Sequence, residues 1–282
     1  MLCNTKDMLL SAFNNKYAIC QFNINNLEWT KYILEECEKN LSPVILGVSE
    51  SAVKYMGGYN TVSMMITGMM LDLNITIPVA LHLDNGSSVE SCKKAIDAGF
   101  TSVMIDTSIY ELDENIKIVN EVCDYARIYD VSVEAEIGNI VSDEKKVNGD
   151  SLATVEDSIK LYKSTKIDSL APAVGSIHGI CKENPKLDFD RTKEISASLN
   201  IPLVLHGGTG ISDEDIRKII ECGISKININ TELQVVWSNS IKEYLKNNND
   251  VYDPRKIISS GEENIKKAIS DKLHLVDSCN KI

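Results

Sequence analysis

The sequence has no stretch that would place the chain in a membrane. No uninterrupted apolar run reaches the ~18 residues that a transmembrane helix requires. The N-terminus also lacks the charged, apolar and small-residue segments of a secretory signal. We therefore expect a cytoplasmic protein with no membrane partner.

Paired cysteine motifs are also missing. The eight cysteines are scattered along the chain without any C-x-x-C spacing, and several lie on predicted apolar faces of helices or strands. This distribution is typical of reduced, buried thiols. No disulfide framework is therefore expected.

Positive charge is scarce. The chain carries 41 acidic against 29 basic residues, which gives a formal net charge of −12. Nucleic-acid binding requires clustered Lys and Arg to neutralise phosphates, so we expect no nucleic-acid partner. A phosphorylated ligand would have to be held by local donors against the overall field.

The length and composition fit one large α/β domain. The chain has 282 residues, of which 43% are hydrophobic, and this is enough to bury a sizeable core. Barrels of alternating strands and helices use ~250 residues as one domain, and no linker or low-complexity segment divides this sequence. We expect a single domain over residues 1–282.

Short apolar runs alternate with amphipathic stretches along the whole chain. Such runs, rich in β-branched residues, predict buried strands. Eight of them are present, at Tyr17–Asn23, Pro43–Val48, Ile77–Asp84, Ser102–Asp106, Val131–Ile137, Ile167–Ala173, Pro202–His206 and Ile224–Asn228.

Helical patterns separate and follow these runs. They span Leu27–Lys39, Thr61–Leu73, Val89–Ala98, Asp113–Tyr129, Thr154–Ser164, Arg191–Leu199, Ser212–Cys222 and Glu232–Asn247. Helix-capping signals precede and follow several of them, such as Ser87-Ser88, Ser212, Gly99 and Gly223. Eight units predict an α/β TIM (β/α)8 barrel rather than an open sheet, with an extra N-terminal helix at Asp7–Asn15 and a C-terminal helical tail from Tyr252 to Ile282.

Polar residues follow nearly every predicted strand. In a barrel, the carboxyl ends of all eight strands converge on one site. Three of the four histidines belong to this set, which consists of His82, Asn23, Ser49, Asp84-Asn85, Asp106, Glu136, the Gly175–Gly179 turn that contains His178, His206–Gly210 and Asn228–Thr231.

Two of these histidines predict a metal site. Imidazoles from separate strands, together with carboxylates, suit Zn²⁺ and leave one coordination position open for catalysis. His178 and His206 would be the ligands. The alternative, in which each histidine only forms a hydrogen bond with a loop carbonyl, stays open at this point.

The ends of the seventh and eighth strands predict an anion site. His206-Gly-Gly-Thr-Gly and Asn228-Ile-Asn-Thr stand where this fold often binds phosphate. Glycines allow close approach of the backbone, and N–H groups with the hydroxyls of Thr209 and Thr231 would cradle the anion. A tight connecting loop is the alternative explanation.

Taken in order along almost the whole chain, the motifs resemble those of the class II fructose-bisphosphate and tagatose-bisphosphate aldolases. The resemblance rests on His82-Leu-Asp-Asn-Gly86, Glu134-Ala-Glu-Ile-Gly138, Gly175-Ser-Ile-His-Gly179, Leu205-His-Gly-Gly-Thr-Gly210, Asn228-Ile-Asn-Thr-Glu232 and Tyr252-Asp-Pro-Arg-Lys256.

This resemblance implies a zinc-dependent lyase of glycolysis and carbohydrate metabolism. The enzyme would cleave a ketose 1,6-bisphosphate, a small phosphorylated sugar, into dihydroxyacetone phosphate and glyceraldehyde 3-phosphate. It would work as a homodimer or homotetramer, and a monovalent cation would accompany Zn²⁺. Fructose and tagatose bisphosphates, which differ only at C4, and a phosphorylated deoxy-gluconate all stay open as substrates.

The resemblance also implies roles for individual residues. Asp84 corresponds to the acid/base acting at the C4 oxygen, and Glu144 to a mobile proton-transfer residue. His178 and His206 correspond to zinc ligands, and Glu136 to a carboxylate at an alternative metal position. The substrate-binding set comprises Asn23, Ser49, Gly179, Gly207, Gly208, Thr209, Asn228, Asn230, Thr231 and, from a neighbouring subunit, Arg255.

The sequence departs from the family pattern at two places. Asn85 stands where the family has the histidine that is its third zinc ligand, and an amide oxygen is a poorer donor to Zn²⁺ than imidazole. His82, two residues before Asp84 on the same strand face, is a candidate substitute. Val141-Ser142 replaces the glycine pair of the family's loop, so the role of Glu144 rests on its spacing.

Two alternatives to a metal-dependent aldolase follow. The first is a catalytically impaired paralogue or engineered variant that binds sugar phosphates and lacks the third zinc ligand at Asn85. The second is a lyase that forms a Schiff base through Lys226, as class I aldolases do with a lysine. The sequence favours the metal route because no lysine follows the sixth strand, and Lys226 is interpreted as structural or peripheral.

Overall fold

Eight parallel strands close into a barrel in chain order, which confirms the predicted fold. The computed structural model describes residues 2–140, 151–177, 179 and 185–282. The strands are β1 (Ile19–Asn23), β2 (Val44–Ser49), β3 (Val79–Gly86), β4 (Ser102–Ile105), β5 (Ser132–Ile137), β6 (Ser169–Pro172), β7 (Leu203–Leu205) and β8 (Ile224–Ile229).

Helices surround the barrel and extend beyond it at both ends of the chain. They are α1 (Lys6–Asn15), α2 (Leu27–Lys39), α3 (Glu50–Tyr55), α4 (Tyr59–Asp72), α5 (Val89–Asp97), α6 (Leu112–Ile128), α7 (Val155–Ser164), α8 (Phe189–Leu199), α9 (Asp213–Glu221), α10 (Thr231–Asn247), α11 (Pro254–Ser259) and α12 (Glu262–Leu275). Helices α11 and α12 form the predicted helical tail. The short helix α3 was not predicted, because its six residues are too few to show a helical period.

The predicted capping signals lie where helices begin and end. Ser88 forms a capping box at α5, and the Ser212 hydroxyl accepts a hydrogen bond from Asp215 N at α9. Gly99 and Gly223 follow these two helices with φ of 95° and 118°. Such left-handed backbone favours glycine, so both helices end where the sequence predicts.

Helix α1 closes the end of the barrel at which the strands begin. Its Met8, Leu9 and Ala12 pack against the inward-facing Ile19 and Ile45 in a small apolar cluster. Both ends of the chain lie at this closed end as well. Cys3 N donates to Val79 O at the start of β3, and Asn280 N donates to Asn40 O just before β2.

Above this apolar layer, the interior of the barrel is polar. Side chains alternate along a strand, so Cys20 and Phe22 face the helices while Gln21 and Asn23 face inward. Gly47, on the neighbouring strand, provides the room for Gln21, since a Cβ there would lie 2.4 Å from its amide nitrogen. This polar interior positions the site described below.

The sequence predicts neither membrane-spanning helices nor a disulfide framework, and the described residues can be compared with both expectations. Among the described helices, none is both long and apolar enough to cross a bilayer. The seven cysteines that the structure describes are all free thiols, and those at positions 20, 37, 92 and 123 are buried.

Glu38 ties helix α2 to the segment that enters β3. Its carboxylate accepts hydrogen bonds from Thr76 N at 2.8 Å, Thr76 Oγ1 at 2.6 Å and Ile77 N at 3.2 Å. Burial alone would raise the pKa of Glu38, but these three hydrogen bonds lower it below its usual value. The stabilisation is therefore present above the pKa of the unfolded chain and is lost as the pH falls through the folded-state pKa.

We expect Glu38→Ala to lower the free energy of unfolding by about 1–2 kcal/mol at pH 7, because the hydrogen bonds to a charged acceptor are removed. The deficit should shrink as the pH falls below the titration range of a glutamate. Urea denaturation at several pH values measures both effects. Glu194→Ala, at an exposed position of α8, is the control, and a deficit that is independent of pH would contradict the assignment.

Candidate functional site

A polar cavity of about 140 Å³ lies at the end of the barrel where the strands finish. It is lined by residues from β1, β3 and β8, from the turn after β6 and the loop after β7, and from the N-terminus of α10. They are Asn23, Asp84, Asn85, Gly179, His206, Gly207, Thr209, Asn228, Asn230 and Thr231. Each of these ten residues was predicted from the sequence to belong to the site.

Two larger grooves lie away from this convergence. One, of about 430 Å³, is bounded by α9, α10 and α12, and the other, of about 500 Å³, lies at the closed end of the barrel near Cys3 and Tyr17. Neither groove brings together the polar ends of several strands. Volume therefore does not identify the site in this barrel, whereas convergence of strand ends does.

A bulge in β3 brings Asp84 and Asn85 into the same cavity. Leu83 pairs with Val103, but Gly86 pairs with Ile105, so β3 carries one extra residue at this point. Asn85 adopts a left-handed φ of 52°, which asparagine tolerates better than most residues. Simple alternation would point the two side chains to opposite faces; the bulge re-aims them.

Asp84 is held in place by two amides. Asn23 Nδ2 donates to Asp84 Oδ2 at 2.7 Å, and Asn228 Nδ2 donates to Asp84 Oδ1 at 3.3 Å. Burial alone would raise the pKa of Asp84, yet the pKa is lowered, mainly by the positive charges of His206 and Lys226. Asp84 is therefore an ionised carboxylate that can accept a proton from a ligand.

Below the cavity, five side chains form a buried chain of contacts that we call the lumen network: Ser102, His82, Lys226, Glu134 and His206. Lys226 Nζ lies 2.6 Å from Glu134 Oε2 and 3.4 Å from His82 Nε2. His82 Nδ1 lies 2.7 Å from Ser102 Oγ. All five residues are at most 2% exposed, so their charges are compensated within the protein.

The charge states in this network follow from its contacts. Burial alone would raise the pKa of Glu134, but Lys226 and the hydrogen bond from His206 hold it well below its usual range. Burial and the neighbouring ammonium of Lys226 lower the pKa of His82 to about 3. His82 is therefore neutral, with Nε2 accepting from Lys226 and Nδ1–H donating to Ser102.

These contacts place His82 and Lys226 beneath the cavity, and neither residue lines it. Both ring nitrogens of His82 are engaged in the lumen network, so the structure does not bring this predicted substitute ligand to Asn85. Lys226 was interpreted as structural or peripheral, and it lies at the centre of the barrel. Its ion pair with Glu134 leaves it poorly suited to nucleophilic attack.

His206 connects the lumen network to the cavity. Its Nε2 lies 2.9 Å from Glu134 Oε1, and its Nδ1 lies 3.9 Å from Glu136 Oε2. Burial alone would lower the pKa of His206, but the hydrogen bond to Glu134 and the charges of both glutamates raise it. The Nε2 atom of the imidazole is thus hydrogen-bonded to Glu134 in the lumen network, and Nδ1 lies on the side of Glu136.

Glu136 is a buried carboxyl group with spare bonding capacity. Ile140 N donates to its Oε1 at 3.4 Å, while Oε2 accepts no hydrogen bond from the part of the chain that the structure describes. Burial raises the pKa of Glu136 to about 8, with a further contribution from Asp106. A nearby cation would favour the ionised form.

Helix α10 begins at the cavity and offers an anion site. Its N-cap residue, Asn230, makes no side-chain capping hydrogen bond, and the helix continues for 17 residues. Glu232 N donates weakly to Thr209 Oγ1 at 3.4 Å. A helix N-terminus with free N–H groups and flanking hydroxyls attracts phosphate or carboxylate.

Glycine is required in the loop that faces this helix. A Cβ on Gly207 would lie 2.2 Å from Ile177 O, and the residue has a φ of 69°. Gly208 N donates to Asn228 O at 3.2 Å, which fixes the loop to β8, although Gly208 itself does not line the cavity. Glycine at position 207 would leave room for the loop backbone to approach a ligand closely.

Three amide oxygens in the cavity lack partners among the described residues. They are the Oδ1 atoms of Asn85, Asn228 and Asn230, and all three are shielded from solvent. Buried acceptors without donors are costly, and they indicate a ligand that supplies the donors. A sugar, whose hydroxyl groups donate, satisfies such acceptors, and a cation satisfies them as well.

Two further predicted site residues, Ser49 and Arg255, lie outside the cavity. The Ser49 hydroxyl caps α3 by accepting from Ala52 N at 3.3 Å. Arg255, on α11, is 89% exposed and pairs with Asp253 at 2.9 Å. His178 and Glu144 fall outside the described residues, as does the Val141-Ser142 departure.

Sequence reasoning missed the role of Glu134 and did not decide whether Lys226 is structural or peripheral. The signal was present as polar residues two apart on one strand: Gln21 and Asn23, His82 and Asp84, Glu134 and Glu136, Lys226 and Asn228. Residues i and i+2 share a strand face, so the second residue of each pair lies near the mouth of the barrel and the first lies one layer below it. Attention to strand ends alone overlooked that layer.

The described donors suit a divalent cation but do not complete an imidazole set. His206 offers a nitrogen, and Glu136 and Asn85 each offer an oxygen that accepts no hydrogen bond from the described residues. Within the described ranges, no group of three or more His, Cys, Asp or Glu side chains is arranged to hold a metal ion. These donors fit a cation site that includes an oxygen ligand.

We expect Lys226→Met to lower the free energy of unfolding by about 3–5 kcal/mol, because Glu134 then keeps a buried charge without its counter-ion. The double variant Lys226→Met/Glu134→Gln should recover most of this loss. Chemical denaturation measures both values. The control is Lys94→Met, which breaks an exposed pair with Glu90 and should change the free energy of unfolding by no more than about 0.5 kcal/mol. An equal loss of stability in Lys226→Met and Lys94→Met would refute the buried-pair assignment.

A family model and curated relatives with similar sequences all point to one enzyme family. The family model described as "Fructose-bisphosphate aldolase class-II" matches residues 3–281. The chain is 51% identical to the fructose-bisphosphate aldolase of Geobacillus stearothermophilus, over 99% of this chain and 98% of that protein. It is 50% identical to the fructose-bisphosphate aldolase of Staphylococcus epidermidis strain RP62A, over 99% of both chains.

Solved structures share the architecture. The YdjI aldolase from Escherichia coli K12 superposes with a TM-score of 0.86 at 31% identity, covering 100% of this chain and 99% of that one. The fructose-bisphosphate aldolase from Campylobacter jejuni gives a TM-score of 0.84 at 22% identity, covering 98% of this chain and 94% of that one. The second likeness concerns the fold alone.

Proposed function

Because the chain belongs to the class II fructose-bisphosphate aldolase family, we propose that it cleaves, and in reverse condenses, a ketose 1,6-bisphosphate. The products are dihydroxyacetone phosphate and glyceraldehyde 3-phosphate. The proposal is carried by one cavity that contains an ionised Asp84, the N-terminus of α10 and three amide oxygens without a hydrogen-bond partner among the described residues. Fructose 1,6-bisphosphate is the first candidate substrate, and the tagatose epimer is the second.

The cavity supports binding of a phosphorylated polyol. The first turn of α10, with Gly207, Thr209 and Thr231, would bind one phosphate through backbone N–H groups and hydroxyls. The Oδ1 atoms of Asn228 and Asn230 would accept hydrogen bonds from sugar hydroxyls. The chain carries a net charge of −12, which repels anions. These local hydrogen-bond donors would offset that repulsion and allow an anionic ligand to bind.

Asp84 would act as the acid/base of the carbon–carbon cleavage. It accepts the proton of the C4 hydroxyl, the C3–C4 bond breaks, and the C4 oxygen becomes the aldehyde carbonyl. The bonding electron pair stays on C3 as part of an enediolate, which Asn228 contacts, and Glu144 would deliver the proton to C3. Asn23 and Asn228 orient the Asp84 carboxylate for this transfer.

A divalent metal would complete the site. We propose that His178 and His206 hold Zn²⁺ together with an oxygen from Asn85 or Glu136. When bound, Zn²⁺ supplies a Lewis acid that stabilises negative charge on the enediolate. Asn85 Oδ1 and Glu136 Oε2, which accept no hydrogen bond within the described part of the chain, support an oxygen donor at this place.

The same family membership supports an oligomeric, cytoplasmic enzyme formed from one domain over residues 1–282. Arg255 lies on the outside of the chain, with its guanidinium 89% exposed and paired to Asp253. We propose that it reaches the distal phosphate of a substrate in a neighbouring subunit of a homodimer or homotetramer.

We expect Asp84→Asn to lower kcat for fructose 1,6-bisphosphate by about 10²–10⁴-fold, because the proton acceptor is lost while the side-chain shape is kept. Binding of dihydroxyacetone phosphate, measured by calorimetry, should stay within a few-fold. Asp168→Asn is the control, since Asp168 accepts from Val133 N at the closed end of the barrel. A variant at position 84 with activity close to the unaltered enzyme would exclude Asp84 as the acid/base.

We expect Asn85→His to raise both zinc occupancy, measured by elemental analysis after dialysis, and kcat/KM, because imidazole is the better zinc ligand. Asn74→His is a matched control. Asn74 also has a left-handed φ, of 53°, but is exposed and far from the cavity.

The same assay, run with and without a chelator and with borohydride, separates the alternatives. Loss of turnover on chelation supports the metal route. If both the unaltered protein and Asn85→His bind sugar phosphates but show no turnover, the impaired paralogue is supported. Covalent trapping at Lys226 would support the Schiff-base lyase. Zinc occupancy and rate that do not respond to Asn85→His count against metal binding at this position.

A further inference from the structure

The lumen network contains a buried ion pair for which the proposed reaction gives no role. Glu134 is 2% exposed, Lys226 is fully buried, and their side chains meet at 2.6 Å. An ion pair of this kind is seldom the most stable way to fill a protein interior, since apolar side chains of similar volume often do as well or better. We therefore considered whether the pair positions a neighbouring side chain.

The two oxygens of Glu134 serve different partners. Oε2 accepts from Lys226 at 2.6 Å and weakly from Ser169 Oγ at 3.5 Å, while Oε1 faces His206 Nε2 at 2.9 Å. Lys226 therefore both fixes the carboxylate and compensates its charge. The carboxylate cannot rotate away from His206 without leaving the ammonium unpaired.

The contact with Glu134 determines which nitrogen of His206 carries a proton. An ionised carboxylate only accepts hydrogen bonds, so His206 Nε2 must be the donor. In the neutral imidazole the other nitrogen, Nδ1, is then the unprotonated one. Nδ1 lies on the side of Glu136, at 3.9 Å from Oε2, and His206 lines the cavity.

We propose that Glu134, anchored by Lys226, is a positioning residue that fixes the tautomer and ring orientation of His206 so that Nδ1 serves as its ligating atom. Carboxylates that accept from the second nitrogen of a metal-binding imidazole play this part in other metal sites. Neither residue touches the cavity, so both act through His206. The inference rests on the proposed function only in taking Nδ1 as the atom that binds the metal.

The other end of the lumen network provides an internal control. His82 contacts Lys226 on the side away from Glu134 and His206, and Ser102 contacts His82. Ser102→Ala removes one buried hydrogen bond without touching Glu134 or His206. A general loosening of the interior would therefore affect Ser102→Ala and the Glu134 variants alike, whereas a specific positioning role affects only the latter.

The test is a measurement of histidine tautomers by ¹⁵N NMR on the metal-free, full-length protein. With only four histidines in the chain, His206 is assigned from the signal lost in His206→Gln. The unaltered protein should show the Nε2–H form in its neutral state. Glu134→Gln/Lys226→Met, which removes both charges together, should show a mixture containing the Nδ1–H form.

Zinc affinity is the second readout, measured by competition with a chromogenic chelator. We expect the double variant to bind Zn²⁺ about 10–100-fold more weakly, and Ser102→Ala to bind it as the unaltered protein does. Glu134→Asp offers a further variant that keeps the charge opposite Lys226 while withdrawing the carboxylate from His206. It should weaken zinc binding in the same direction.

An unchanged tautomer in the Glu134 variants would overturn the proposal. So would a changed tautomer with unchanged zinc affinity, or an equal change in Ser102→Ala. Because the tautomer is read without turnover, its outcome is independent of whether the enzyme cleaves a ketose bisphosphate. A protein that fails to cleave the sugar but shows the expected tautomer shift would refute the proposed function and not the positioning role.

Discussion

The ion pair between Lys226 and Glu134 is the interaction on which the interior of this barrel depends. Two carboxylates, Glu134 and Asp84, lie in a space from which water is largely excluded, and such charges are tolerated only when compensated. Lys226 compensates the first, and the amides of Asn23 and Asn228 with nearby positive charge compensate the second. The pKa of Glu136 stays raised because burial outweighs the charge of the nearby His206. The positions of these charges along the barrel axis thus determine which of the three carboxyl groups are ionised.

Much of the fold could be predicted because the physical signals are local. Each strand is a short apolar run, each helix has an amphipathic period, and Ser88 and Gly99 show where one helix begins and ends. The short helix α3 lacks a full period, so no pattern could reveal it. The convergence of Asn23, Asp84, His206 and Asn228 also followed, because a closed parallel barrel leaves the carboxyl ends of its strands no other place to meet.

The features that escaped prediction depend on contacts between distant strands. The bulge that turns Asn85 toward the cavity is a register shift against β4, and no residue of β3 alone encodes it. Lys226 resembles a peripheral lysine in sequence, because its burial is decided by Glu134, 92 positions earlier. Asn85 itself suits the left-handed backbone of the bulge, so its presence satisfies the fold while it alters the donor set of the site.

The closed end of the barrel has a practical consequence. Helix α1 fills that end, and the residues near both chain termini pair there with the starts of β2 and β3, on the side opposite the cavity. A fusion partner or surface linker attached at either terminus would leave the opening of the polar cavity unobstructed. The molecule can therefore be immobilised in a single orientation with every binding cavity facing the solution.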